Sequence, residues 1–161
     1  MNAEKKKMRI SRIHNGTVID HIRPGSAVDV FQILGLREDT TSSITLAIRV
    51  DSDKMGKKDL LKIEDRFLTP RESAMVALIA PNTTINIIRS YEVESKRDVE
   101  LPDVIEGTVQ CGNPNCITNA EREPVEAQFV LVSEDPLGIR CRYCDNMMED
   151  QQIKRQLIKQ S

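Results

Sequence analysis

The sequence predicts an α+β chain of two unlike modules in tandem, and three observations carry that expectation. Residues 1–100 alternate segments of strand period with segments of helix period. All four cysteines fall between Cys111 and Cys144, in two close pairs. Between these regions the charged, proline-containing SKRDVELPDVIEG, Ser95 to Gly107, loses periodicity and reads as a linker. The expected modules are residues 1–100 and 101–161.

The first module opens after Gly16 with TVIDHI, a strand broken by Pro24 and Gly25. Ser26 stands where a helix cap is wanted. Ala27, Val30, Phe31 and Leu34 then recur on one helical face before Gly35 ends it. In SITLAIRV, Ile44, Leu46, Ile48 and Val50 alternate with Thr45, Ala47 and Arg49, the pattern of a half-buried strand. Met55 and Gly56 turn the chain into a second strand, KKDLLKIE. The next helix has strong start signals: Thr69 as cap, Pro70 in first position and Glu72 closing a T-x-x-E box. Met75, Val76, Leu78 and Ile79 follow until Pro81 stops it. TINIIRSYEV completes the set as one strand, with Ile85, Ile87, Tyr91 and Val93 on one side. Strand, helix, strand, strand, helix, strand is the split βαβ order of a ferredoxin-like sandwich, with SITLAIRV and KKDLLKIE as its central hairpin.

The second module reads as a small antiparallel β domain. QFVLVS, Gln128 to Ser133, is dense in strand formers, and GIRCRYC leads into the last cysteines. The tail DNMMEDQQIKRQLIKQS sets Ile153, Leu157 and Ile158 at helical spacing, either a short amphipathic helix or a frayed end. So short a stretch buries little apolar surface and needs a staple. The cysteines supply one: Cys111 and Cys116 form C-x4-C, Cys141 and Cys144 form C-x2-C, and Gly112, Asn113, Pro114 and Asn115 are turn formers. Four thiolates at this spacing suit one structural Zn2+ per chain. A redox CxxC is the rival for Cys141 and Cys144, but it leaves Cys111 and Cys116 without a task. A catalytic zinc is disfavoured because four thiolates close the shell.

Composition removes other classes. Of 161 residues, 23 are basic and 25 acidic, a net charge of -2, so no global field draws the chain to nucleic acid or anionic membrane. A zinc-ribbon nucleic-acid-binding protein is the alternative reading, yet aromatics are 3% and no basic stripe is visible. MNAEKKKMRI is followed by no apolar run, and no segment approaches the roughly 18 apolar residues of a span. A cytoplasmic protein with no membrane partner is expected. There is no P-loop, G-x-G-x-x-G, G-x-S-x-G or H-E-x-x-H, and the two histidines are His14 and His21. Asp20 and His21 are neighbours, but consecutive strand residues face opposite ways unless the strand end is twisted, as it could be before Pro24.

The segments GTVIDHI, MGKKDLLKIE, LIAPNTTINIIRSYEV, LPDVIEG and NPNCITN, with the C-x4-C and C-x2-C pairs, resemble the regulatory chain of aspartate carbamoyltransferase. The resemblance runs in order from Ile10 to Cys144. It implies a chain without catalytic activity that binds CTP-, UTP- or ATP-type effectors, pairs with a second copy, and grips the catalytic chain through its zinc domain, controlling pyrimidine synthesis. By motif, it implies that Asp20 and His21 contact ribose and phosphates, and that Lys62 and Lys96 supply positive charge. Ile10, Ile13, Asn86, Ile88, Tyr91 and Val93 would line the base pocket. Lys58 is a further candidate. A triphosphate needs several cations, and a ribose diol suits a carboxylate. Three features depart from the pattern: Gly112 stands where relatives often have proline, Lys5 to Lys7 have no assigned counterpart, and the tail after Cys144 matches nothing in it.

Overall fold

The computed structural model describes residues 12–39, 41–122 and 125–160. Its first sheet contains β1 (Gly16–Ile22), β2 (Ile44–Ser52), β3 (Gly56–Glu64), β4 (Thr84–Arg89) and β5 (Glu92–Asp98) in the order β2-β3-β1-β4-β5. Every neighbouring pair is antiparallel. Helices α1 (Ala27–Ile33) and α2 (Pro70–Ile79) bury Val30, Ile33, Met75 and Val76 with Ile19, Leu61 and Ile63 of the sheet. The second sheet, in the order β6-β7-β8-β9, is built from β6 (Val104–Glu106), β7 (Gln128–Glu134), β8 (Leu137–Cys141) and β9 (Met147–Glu149). A short 3-10 turn, Ile117–Asn119, lies in its first loop, and helix α3 (Asp150–Gln160) follows it. The fold is α+β with a split βαβ core, as the periodicity predicts.

Local chemistry explains α2. The Thr69 hydroxyl accepts from the Glu72 N–H at 3.1 Å, the Glu72 carboxylate accepts from the Thr69 N–H at 3.0 Å, and Pro70 opens the first turn. α1 differs from expectation at its start. Ser26 makes no side-chain cap; the carboxylate of Asp59, reaching across from β3, accepts from Gly25 N–H at 2.8 Å and Ala27 N–H at 3.2 Å.

Three sequence expectations need correction. TINIIRSYEV is a hairpin: β4 and β5 are joined at Ser90 and Tyr91, both with positive φ. Such two-residue turns favour Asn-Gly, so Ser-Tyr carries no turn signal. Tertiary contacts hold it instead, with Ser90 N–H donating to Asn15 Oδ1 at 3.1 Å, Tyr91 N–H to His14 O at 2.9 Å, and the His14 and Tyr91 rings 4.7 Å apart. Tyr91 and Val93 therefore do not share a side with Ile85, which packs on Ala77 and Val99. The stretch from Ser95 to Gly107 is largely structured, since β5 runs to Asp98, Val99 bridges to Thr83 and Asn82, and β6 pairs with β7. β2 is not half-buried along one face: it is a sheet edge, with Leu46 37% and Ile48 41% exposed and a bulge at Arg49 (φ 54) that interrupts the alternation.

Between the two readings of the tail, the structure decides for the helix. The tail forms helix α3, and Ile153 and Leu157 are fully buried. These side chains join one continuous core that runs from Ile19 and Val30 to Phe129, Ile139 and Met148, so both sheets contribute to it. Lys154 Nζ, 3.3 Å from Asp29 of α1 and from Asp150, ties the helix to the first module at its rim.

Candidate functional site

Two constellations stand out. In the first, the four cysteine sulfurs lie within 4.8 Å of one another. Cys111 to Cys144 is 3.6 Å and Cys116 to Cys141 is 3.8 Å. A disulfide would be about 2.05 Å, whereas a tetrahedral ion with Zn–S of about 2.3 Å holds its sulfurs about 3.8 Å apart. The donor set and its spacing fit a closed structural zinc site. Hydrogen bonds fix both knuckles: the Asn119 amide donates to Cys111 O at 2.9 Å and Asn113 O at 2.7 Å, and Asp145 N–H donates to Cys141 O at 3.0 Å. Asn119 thus locks the first knuckle where Gly112 would leave it loose. Burial pushes the Cys111 thiol up to about 12 and raises Cys141, while the Asn146 backbone N–H brings Cys144 down to about 7. Buried thiols this close resist losing their protons together, and a divalent cation removes that resistance.

The second constellation is a cavity of about 470 Å³ on the sheet face opposite α1 and α2. Strand register sets its layout. Lys62, Val18, Asn86 and Lys96 form one cross-strand row over β3, β1, β4 and β5, so two lysines flank the cavity at one level. Towards Gly16 the lining turns apolar, with Ile13, Ile88, Tyr91 and Val93. Towards the other end of β1 stand Asp20 and His21. Gly16 and Asp20 are roughly 13 Å apart at strand rise, so the gradient has molecular length.

Asp20 and His21 both face the cavity because β1 bulges there. Register passes from Ile19↔Leu61 to Ile22↔Asp59, so two residues of β1 oppose Leu60 alone, and His21 adopts φ 57. This is the irregular strand end before Pro24 that cooperation between the two required. Asp20 Oδ1 pairs with Lys58 Nζ at 2.8 Å and accepts from His21 N–H at 2.7 Å. The Thr84 hydroxyl donates its one hydrogen to Asp98 at 2.8 Å, so it accepts from His21 Nδ1 at 3.2 Å. That assigns the proton to Nδ1 and leaves Nε2 of the neutral ring as an acceptor. Burial lowers the Lys62 pKa, partly countered by Asp20, and an anion in the cavity would reverse that shift.

Nine of the ten residues nominated for this pocket line it; Ile10 lies outside the described residues. The nominations missed Arg12, Val18 and Leu60. Val18 and Leu60 sit two residues from Asp20 and Lys62, so strand period alone could have found them. Arg12 had no such signal. The cavity gathers cations, a carboxylate, an imidazole and an apolar end, a set suited to holding an anionic, ring-bearing ligand.

Family models for the aspartate carbamoyltransferase regulatory chain match twice, the allosteric domain over residues 8–100 and the metal binding domain over residues 103–154. The chain belongs to that family. It is 51% identical over 149 residues to the aspartate carbamoyltransferase regulatory chain of Thermoplasma acidophilum, covering 92% of this chain and 98% of the relative. With the regulatory chain of Methanopyrus kandleri it shares 48% identity over 154 residues, covering 96% and 97%. With that of Thermofilum pendens it shares 49% over 149 residues, covering 92% and 94%. The metal-binding model ends inside α3, so fully buried Leu157 belongs to a part of the helix that the model does not span. Among the described residues no helix is long and apolar enough to cross a membrane.

Proposed function

We propose that this chain is a non-catalytic allosteric regulatory subunit of aspartate carbamoyltransferase. Residues 1–100 bind the effector, and residues 101–161 carry zinc and contact the catalytic chain, on which carbamoyl-aspartate is made in cytoplasmic pyrimidine synthesis. The observation that carries the reading is the polarity of the cavity, which runs from Ile13, Ile88, Tyr91 and Val93 through the Lys62–Lys96 level to Asp20 and His21. A CTP-, UTP- or ATP-type nucleotide has the matching order. Its base takes the apolar end together with Asn86, and its ribose and phosphates take Asp20, His21 and the lysines.

Two exposed surfaces support the partners. Leu46 and Ile48 are exposed apolar side chains on β2, the edge strand of the sheet, which suits a second copy. Ile117 and Tyr143, 47% and 48% exposed beside the cysteine knuckles, suit the catalytic chain. The route between effector and catalytic chain is the shared core under α3, with the exposed Arg23–Asp135 pair at 3.3 Å as a second link between the modules, rather than residues 95–107 alone. A nucleotide shifts the assembly only if it prefers one of two states, and coupling of about 1–3 kcal/mol corresponds to affinity shifts of roughly 5- to 150-fold.

The test is a substrate saturation curve of the cognate catalytic trimer, with and without this chain, at several CTP and ATP concentrations. The expected outcome is a larger assembly whose curve moves with nucleotide. No complex at micromolar concentration refutes the reading, and a complex with one unchanging curve reduces the chain to a structural partner.

A further inference from the structure

Asp59 is fully buried on β3, on the face away from the cavity, between Lys58 and the cavity-lining Leu60. A buried carboxylate is costly unless its oxygens are satisfied. Here three backbone N–H groups do so: Oδ2 accepts from Gly25 at 2.8 Å and Ala27 at 3.2 Å, and Oδ1 from Arg49 at 2.9 Å. Those donors mark two separate irregularities. Gly25 lies in the turn that follows the β1 bulge at Asp20 and His21, and Ala27 opens α1 directly after it. Arg49 belongs to the β2 bulge, where register passes from Ala47↔Leu60 to Val50↔Lys58, so Ile48 and Arg49 together oppose Asp59. The two bulges therefore flank β3 at adjacent residues, Leu60 and Asp59. A bulge leaves an N–H outside the ladder, and at Arg49 that N–H is taken by the same carboxylate that holds the turn after His21.

We infer that Asp59 is a positioning residue for the cavity: by anchoring the β2 bulge and the segment that directly follows the β1 bulge, it holds Asp20 and His21 to one face and ties their placement to the exposed β2 edge. This rests on the nucleotide reading of the cavity. The bond network itself does not. If β2 is where a second copy docks, a ligand that shifts Asp20 and His21 acts on that edge through one carboxylate.

The experiment uses the full zinc-loaded chain, with CTP as probe. Asp59→Asn is isosteric but turns one acceptor into a donor facing backbone N–H groups. The His21 imidazole and Arg49 amide resonances should move together by NMR, those of His14 and the four-cysteine sheet should stay, and CTP affinity by calorimetry should fall about tenfold. In the wild type, where no variant has to fold, the Gly25, Ala27 and Arg49 amides should show one common protection factor in hydrogen exchange, and CTP should raise all three. His21 unmoved in the folded variant overturns the inference, as do three unrelated protection factors. Changes that spread evenly to the four-cysteine sheet overturn it too, since they make Asp59 a general support of the fold. If the wild type binds no CTP, the nucleotide reading fails, while the paired His21–Arg49 displacement and the common protection factor still decide the positioning role.

Discussion

Replacing Leu157 with alanine tests whether α3 joins the two modules. Leu157 has no exposed surface and sits in the core that contains Val30, Ile33, Phe129 and Met148. The substitution removes roughly three methylene equivalents at ~0.8 kcal/mol each, about 2.4 kcal/mol, before any cavity term. The measured range for buried leucine is about 2–5 kcal/mol, and a helix at the chain end can settle partly into the space, so about 3 kcal/mol is expected. For a chain of this length each kcal/mol is worth about 2–4 °C, which puts the fall in Tm at roughly 6–12 °C by differential scanning calorimetry. Ile158→Ala, half-buried on the same helix, should cost about 1 kcal/mol. Lys154→Ala should cost little, because its pairs with Asp29 and Asp150 are partly exposed. Zinc content should be unchanged in all three. A fall below about 2 °C for Leu157→Ala, or one equal to that of Ile158→Ala, would refute the shared core. If α3 also carries the effector signal, Leu157→Ala should flatten the nucleotide response of the holoenzyme at temperatures where the variant is folded.

Chelation should unfold the four-cysteine sheet, because binding on the order of 10–16 kcal/mol is folding energy there; Cys141→Ser keeping full zinc content and stability in metal analysis and calorimetry would contradict this. Lys62→Ala and Lys96→Ala should each weaken CTP or ATP by about 1–3 kcal/mol while leaving zinc in place, and salt should weaken binding; equal titration curves for wild type and the double variant would rule the cavity out. Acid should loosen the junction between α1 and α2. Burial would raise Glu72, but the Thr69 N–H and the Arg66 guanidinium, 2.7 Å away, hold it below its usual value, and the Ser42 and Thr41 N–H groups lower Asp39, itself 3.2 Å from Arg66. Depressed carboxyls stabilise the fold above their unfolded pKa of about 4 and stop doing so as pH falls through their folded values. Stability should therefore decline below about pH 4, and Arg66→Met should flatten that decline in urea titrations at stepped pH.

The sequence by itself determined the elements whose signals are local. The T-x-x-E box with Pro70 sets the start of α2 because capping needs only residues within one turn. The C-x4-C and C-x2-C spacing assigns the sulfurs because short loops limit where they can go. Family motifs named nine of the residues that line the cavity. What remained depends on groups distant in the chain. Ser90 and Tyr91 form a turn without turn chemistry because His14 and Asn15 satisfy their N–H groups. β2 reads as half-buried, but being the last strand of the sheet is a property of topology, and one bulge undoes its alternation. Asp20 and His21 share a face only through the bulge opposite Leu60. The tail was equally consistent with a helix or a frayed end because the 11 residues of Asp150–Gln160 are too few to be stably helical alone; burial of Ile153 and Leu157 against the helices of the first module supplies the free energy that their spacing could only permit.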